Sequence, residues 1–237
     1  MSVLAPAEIT AGSSPQTVLQ WAYDTFPSVV IVASFQAESS VLIDMASMLR
    51  GDVRVLTLDT GRLPQATHDM IDRIRDRYAI EIQVVAPDAA ELEEMVRRHG
   101  VNLFYASPEN RRLCCNVRKS RPLARALAGY DAWITGVRRN QAVTRADTPV
   151  VSPDHEHEGL TKIAPLASWS KEQVWTYIRD HDLPYHSLYD SGYTSIGCEP
   201  CTRATTKGED ERAGRWWWES ENEVKECGIH WKAETPS

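Results

Sequence analysis

Residues 29–40 read Val-Val-Ile-Val-Ala-Ser-Phe-Gln-Ala-Glu-Ser-Ser, and this stretch decides the fold. Its first half, VVIVASF (29–35), is a short, continuous apolar run of the kind that forms a strand buried on both faces of a parallel sheet. From Glu38 the pattern becomes that of a helix running to Arg50, so the serines lie where a strand turns into a helix. The same alternation recurs on either side. DVRVLTLDT (52–60) is a second strand, Gln65 to Tyr78 a helix, EIQVVAP (81–87) a third strand and Ala89 to His99 a helix. DAWITGV (131–137) and TKIAPL (161–166) follow as further strands, residues 17–26 form a helix ahead of the first strand, and Ser170 with Gln173 makes a capping box before a helix ending near Arg179. Strand–helix alternation of this kind predicts an α/β fold with an open, mostly parallel sheet flanked by helices. From Leu183 the periodicity fades into a loop-rich C-terminal tail. The expected organisation is an N-terminal segment (1–16), an α/β domain (17–215) and a tail (216–237).

The chain has 237 residues, 42% of them hydrophobic, enough for one sizeable core without covalent staples. A net charge of −7 argues against a protein dedicated to nucleic acid or a membrane surface. No run approaches the length of a membrane span, and MSVLAPAEITAGSSPQ lacks both the basic and the apolar region of a signal peptide, so the expected location is cytoplasmic.

Five cysteines, an odd count, point away from a disulfide framework and towards metal or catalysis. Cys198 and Cys201 form a C-x2-C pair, and Cys114-Cys115 is a vicinal pair far upstream, giving four thiolates for a metal centre. Spacing leaves a zinc staple and an iron–sulfur centre open, although two adjacent side chains reach the separate corners of a cluster more readily than one compact ion. Cys227, in Glu226-Cys227-Gly228-Ile229-His230, has a neighbouring glycine and a nearby imidazole and is either a nucleophile or an incidental surface thiol.

Ser34, Ser39 and Ser40 sit where main-chain N–H groups and a helix N-terminus face an anion, although an ordinary serine-capped turn has the same look. There is no G-x4-G-K-[ST] loop. Asp59 ends the second strand, where it can hold a ribose or cap the next helix. Basic residues cluster in an otherwise acidic chain: Arg118-Lys119, then Arg138, Arg139 and Arg145 after the fourth strand, then Arg203, Lys207, Arg212 and Arg215 before three successive tryptophans. Several arginines at strand ends suggest a multiply charged anion.

Taken in order, SFQAESS, LDTGRLPQAT, Cys114-Cys115 with Arg118-Lys119, WITGVRRNQ, KIAPL through WSKEQVW, GCEPCTR, GEDERAGRWWWE and ECGIH resemble the APS/PAPS reductase family, specifically its cluster-containing adenylyl-sulfate branch. Gln36 departs from that family, whose loop is SFG-like. The resemblance covers nearly the whole chain. It implies a fold of the adenine nucleotide alpha hydrolase (PP-loop) type and a 4Fe-4S cluster on Cys114, Cys115, Cys198 and Cys201. It further implies Cys227 as the nucleophile that attacks adenosine 5'-phosphosulfate (APS), forming an S-sulfocysteine and releasing AMP, with His230 as an orienting or protonating helper. Ser34, Ser39, Ser40, Asp59, Lys119, Arg138, Arg139, Arg212 and Arg215 are the expected substrate contacts. With four thiols committed to the cluster, none remains to resolve the intermediate, so thioredoxin or a glutaredoxin is the expected partner. The alternatives are a 3'-phospho-APS (PAPS) or dual-specificity reductase, an ATP-dependent PP-loop enzyme, and a zinc-stapled nucleotide-binding module.

Overall fold

The computed structural model describes residues 9–157, 159–220 and 225–226. Six strands form one sheet in the order β3-β2-β1-β4-β6-β5. The strands are β1 (Val29–Val32), β2 (Val55–Leu58), β3 (Ile82–Val85), β4 (Ala132–Thr135), β5 (Val151–Pro153) and β6 (Thr161–Ile163). Pairing is parallel throughout except for β5, which runs antiparallel to β6 at the edge. Pro153 explains that position: it cannot donate to a second neighbour, and an edge strand does not require it to.

Helices cover both faces. Five are α1 (Pro15–Thr25), α2 (Ala37–Leu49), α3 (Gln65–Tyr78), α4 (Ala89–His99) and α7 (Lys171–Asp180). Val18 and Leu19 of α1, Leu42 and Ile43 of α2, Ile74 of α3 and Val174 and Ile178 of α7 pack with Ile31 and Ile134 in the largest core. Leu123 and Leu127 pack with Val30, Leu56 and Trp133 in another core. The centre of the sheet therefore excludes water from both sides, which is why β1 reads as an unbroken apolar run and why Thr57 of β2 and Thr135 of β4 are buried too. The capping box at Ser170 and Gln173 is present, with bonds of 2.8 and 3.2 Å.

Residues 108–127 form one interrupted helix: α5 (Pro108–Cys115), a π-helical stretch (Asn116–Ser120) and α6 (Arg121–Leu127). Pro122 supplies the reason for the interruption. It has no N–H for the carbonyl four residues back, and its ring crowds that carbonyl, so the helix widens ahead of it. The Arg121 N–H accordingly reaches the carbonyl of Asn116, five residues back. The wide turn directly follows the two cysteines, and such turns are frequent at functional sites. Among the described residues, no helix is long and apolar enough to cross a membrane.

Candidate active site

Strand order reverses at β1: the chain moves from β1 to β2 and β3 on one side, then returns to β4 on the other. In open sheets, a crevice forms outside the carboxyl ends of the strands at such a point. A pocket lies there, lined by Ser34 after β1, Leu58 at the end of β2, and Gly136 and Val137 after β4.

The turn from β1 to α2 is tight. Phe35 is fully buried with φ of 57°, in the left-handed region. Ser39 Oγ accepts from the Ser34 N–H (3.1 Å), and Tyr189 Oη accepts from the Ala37 N–H (3.2 Å), so part of the turn's donor capacity is already used. Gln36 donates to Ser34 Oγ (3.2 Å) and accepts from the Ile196 N–H (2.7 Å), fastening this turn to the segment that carries the second cysteine pair. Across the pocket, Gly136 must be glycine: a Cβ there would lie 2.8 Å from Glu38 Cβ.

The positive wall comes from distant parts of the chain. Lys119, Arg145, Arg212 and Arg215 line the pocket with Ser34 and Ser39. Of the other expected contacts, Ser40 is buried without a partner for its hydroxyl among the described residues and does not line the pocket. Arg138, with its side chain 1% exposed, is bridged between Glu38 (2.7 Å) and Glu211 (2.8 Å), two carboxylates that already neutralise it. Arg139 donates to the carbonyl of Thr148 (2.9 Å), and neither it nor Arg138 lines the pocket. Asp59 does neither of the things expected of it: it is absent from the pocket lining and five residues short of the Pro64 cap of α3, and it instead accepts from the Gly61 N–H at 2.8 Å within the turn after β2. Arg145, by contrast, is a pocket residue whose sequence signal was its place in the cluster after β4.

Cys114, Cys198 and Cys201 are buried in one apolar cluster with Met95, Phe104, Val117 and Trp216, and Cys115 packs against it. Among the described residues, no two of them are joined in a disulfide. Burial raises the Cys114 thiol despite the nearby Arg118 charge. Burial, then the neighbouring Cys198, pushes Cys201 up to about 12. The turn after β2 seats the second pair: Thr60 Oγ1 lies 3.2 Å from Cys198 Sγ, and the Arg62 carbonyl accepts from the Glu199 N–H (2.8 Å). Gly197 lies where any Cβ would overlap the Arg215 guanidinium, so a bare backbone lets that cation approach. Among the described residues, no three His, Cys, Asp or Glu side chains are grouped to hold a metal ion. Several buried donors in the same region are nevertheless unpartnered among the described residues: Arg118 Nε, Arg215 Nε, Trp216 Nε1 and Trp218 Nε1.

The tail is tied back to this cluster. Trp216 is 1% exposed, with the guanidinium carbons of Arg111 and Arg215 each 4.7 Å from its ring centre. Arg111, on α5, pairs with Glu219 at 2.8 Å with both side chains almost wholly buried. It also donates to the main-chain carbonyl of Glu226 (2.8 Å). The Glu226 carboxylate accepts from Arg145 at 2.8 Å on each oxygen and from Arg212 at 3.1 Å. Burial alone would raise that carboxyl, but the Arg145 hydrogen bonds and the Arg212 charge outweigh it and hold it below the ordinary range. Cys227 and His230, the expected nucleophile and its helper, lie outside the described residues.

A doubly wound sheet with a serine-lined, arginine-walled crevice at its switch point defines an α/β protein built to hold an anionic, nucleotide-like ligand. Residues 28–204 match the phosphoadenosine phosphosulfate reductase domain family, and the chain belongs to that family. It is 49% identical over 203 residues to the adenosine 5'-phosphosulfate reductase of Allochromatium vinosum, covering 86% of this chain and 78% of the relative. It is 47% identical over 205 residues to the protein of the same name from Burkholderia cepacia, covering 86% of this chain and 81% of the relative. Among solved structures, phosphoadenylyl-sulfate (PAPS) reductase from Candida auris, in a phosphate complex, superposes with a TM-score of 0.72 at 30% identity, over 86% of this chain and 100% of that one. FMN adenylyltransferase from Candida glabrata shares the fold, with a TM-score of 0.59 at 13% identity over 99% of this chain and 80% of that one.

Proposed function

We propose that this chain reduces adenosine 5'-phosphosulfate to sulfite and AMP, as a step in sulfate assimilation. The observation that carries the reading is the joint construction of the crevice. Cations from three separate segments line it, and the residue preceding Cys227 in the sequence is hydrogen-bonded to two of those cations. The relatives named for APS, at 47–49% identity, favour it over PAPS as substrate, since the PAPS-named structure is at 30%.

In the proposed reaction the Cys227 thiolate attacks the sulfuryl sulfur, a Cys–S–SO3 bond forms, and the bond from sulfur to the bridging phosphate oxygen breaks with its electron pair leaving on AMP. An anion attacking an anionic ester is uphill in water, so Lys119 and Arg215, with Arg145 and Arg212 shared between the anion and the Glu226 carboxylate, serve to hold and offset the charge. Ser34 and Ser39 offer hydroxyls to the phosphate, and His230 orients or protonates. A thiolate of an external dithiol, thioredoxin or a glutaredoxin, then attacks Cys227 Sγ and expels sulfite, and its second thiol reduces the mixed disulfide. Both electrons come from that dithiol. A cytoplasmic setting, where thiols stay reduced, suits this chemistry.

The residues around the cysteines suit a 4Fe-4S cluster held by Cys114, Cys115, Cys198 and Cys201. Four thiols share one apolar cluster, and unpartnered N–H groups of Arg215 and Trp216 in the same region are available to anionic sulfur. Such a cluster, net negative once four thiolates hold it, would attract the Lys119 and Arg215 cations and so help to hold them at the crevice. Protein incubated with APS and no reductant tests the reaction: mass spectrometry should find one sulfo group on Cys227. Turnover by Cys227→Ser would refute the assignment.

A further inference from the structure

Glu226 is more firmly held than a loop carboxylate has reason to be. It is 2% exposed and receives hydrogen bonds from four residues on three parts of the fold. Arg145 grips both carboxylate oxygens (2.8 Å each), Thr144 Oγ1 donates to Oε1 (2.9 Å) and Arg212 to Oε2 (3.1 Å). Arg111 donates to the main-chain carbonyl (2.8 Å).

The last of these bonds gives the set a consequence. The Glu226 carbonyl belongs to the peptide unit that joins Glu226 to Cys227, and a peptide unit is planar. Side-chain bonds alone would leave that plane free to turn about the Glu226 backbone. Glu226 is therefore gripped at its carboxylate and at its carbonyl, from two directions. Arg111 also lies three residues before Cys114 on the same helix, so one side chain connects the cysteine-bearing helix to the residue ahead of Cys227.

We infer that Glu226 is a positioning residue: Arg145, Arg212 and Thr144 on its carboxylate, and Arg111 on its carbonyl, fix the direction from which Cys227 approaches a bound sulfonucleotide. This rests on the reaction proposed above and adds a division of labour to it. Arg145 and Arg212 serve the tail as well as the anion, whereas Arg215 lines the pocket and donates to Ser195 Oγ and the Ile196 carbonyl. A rival role for the same contacts is competition, in which the carboxylate occupies the arginines until substrate displaces it. The two roles have opposite signatures in substrate affinity.

The test compares wild-type holoenzyme with full-length Glu226→Gln and Thr144→Val, using APS and a thioredoxin-type dithiol. Initial rates give kcat and KM, and a single turnover without reductant gives the rate of Cys227 sulfonation. Gln keeps the size but weakens the grip of two guanidinium groups. Thr144 is exposed, so its valine variant folds in any case. Loss of alignment at a reacting centre costs up to about 100-fold. The expected result is a fall in kcat and in sulfonation rate of roughly 10- to 100-fold for Glu226→Gln and a few-fold for Thr144→Val, with KM for APS nearly unchanged. Unchanged sulfonation in both variants, or tighter APS binding by Glu226→Gln, would overturn the inference. Absence of sulfite from the wild type would instead count against the proposed reaction.

Discussion

Replacing Arg111 by methionine separates what holds the tail from what the tail does. The Arg111 and Glu219 side chains are 1% and 2% exposed and meet at 2.8 and 3.1 Å, so removing the cation leaves a carboxylate in an apolar setting beside Trp216. Breaking a buried pair from one side costs about 3–5 kcal/mol, because the stranded charge keeps its desolvation penalty. For a chain of this size each kcal/mol moves the melting midpoint by about 2–4 °C, so a drop on the order of 10 °C is expected. The double variant Arg111→Met with Glu219→Met removes both charges, and well-packed apolar replacements of buried pairs are often neutral, so most of the stability should return. Activity should not return with it, since the bond from Arg111 to the Glu226 carbonyl is still absent. Thermal unfolding followed by circular dichroism gives the first quantity and sulfite release the second. A single-variant cost below about 1 kcal/mol, the range of a surface pair, would refute the reasoning.

Two further outcomes are expected. Cys198→Ser removes a buried thiol at the junction of the β2 turn and the second cysteine pair, and should lower bound iron and visible absorbance along with turnover; unaltered iron content would contradict the ligand set. His186 is fully buried, accepts from the Leu188 N–H and lies 2.9 Å from Thr67 Oγ1, and burial lowers it from 6.5 to about 4 despite Asp69. The unfolded chain then takes up a proton that the folded one refuses. Stability should therefore decline by about 3 kcal/mol as pH falls from 6.5 towards 4, and His186→Gln should flatten that slope in urea titrations.

The alternating elements were legible because apolar period and caps agreed with the tertiary structure. The helices expected at Gln65–Tyr78 and Ala89–His99 have those bounds, and the five expected strands each contain one observed strand, β1 to β4 and β6; the edge strand β5 (Val151–Pro153) was not expected. The strands are shorter than their expected runs, and residues beyond their carboxyl ends build the crevice: Ser34 after β1, and Gly136 and Val137 after β4. The interrupted helix 108–127 had no such signal. Its inward face includes Arg111 and Arg118, buried through contacts with Glu219 and the Thr60 carbonyl that local sequence does not announce, and Pro122 reads as a breaker. Arginine clusters marked the right segments without ranking their members. Arg138 and Arg145 look alike in sequence, but only the fold brings Glu38 and Glu211 to the first and the pocket to the second. Glu226 was hidden for the same reason, its partners lying 14, 81, 82 and 115 residues away.

The central claim is that this crevice presents a sulfonucleotide lacking a 3'-phosphate to Cys227. The most direct measurement offers the purified enzyme APS and PAPS side by side, with thioredoxin as reductant, and quantifies sulfite together with AMP and adenosine 3',5'-bisphosphate. The account predicts stoichiometric sulfite and AMP from APS, in clear preference to any product from PAPS. Equal or faster formation of the bisphosphate, or no sulfite from either nucleotide, would contradict it.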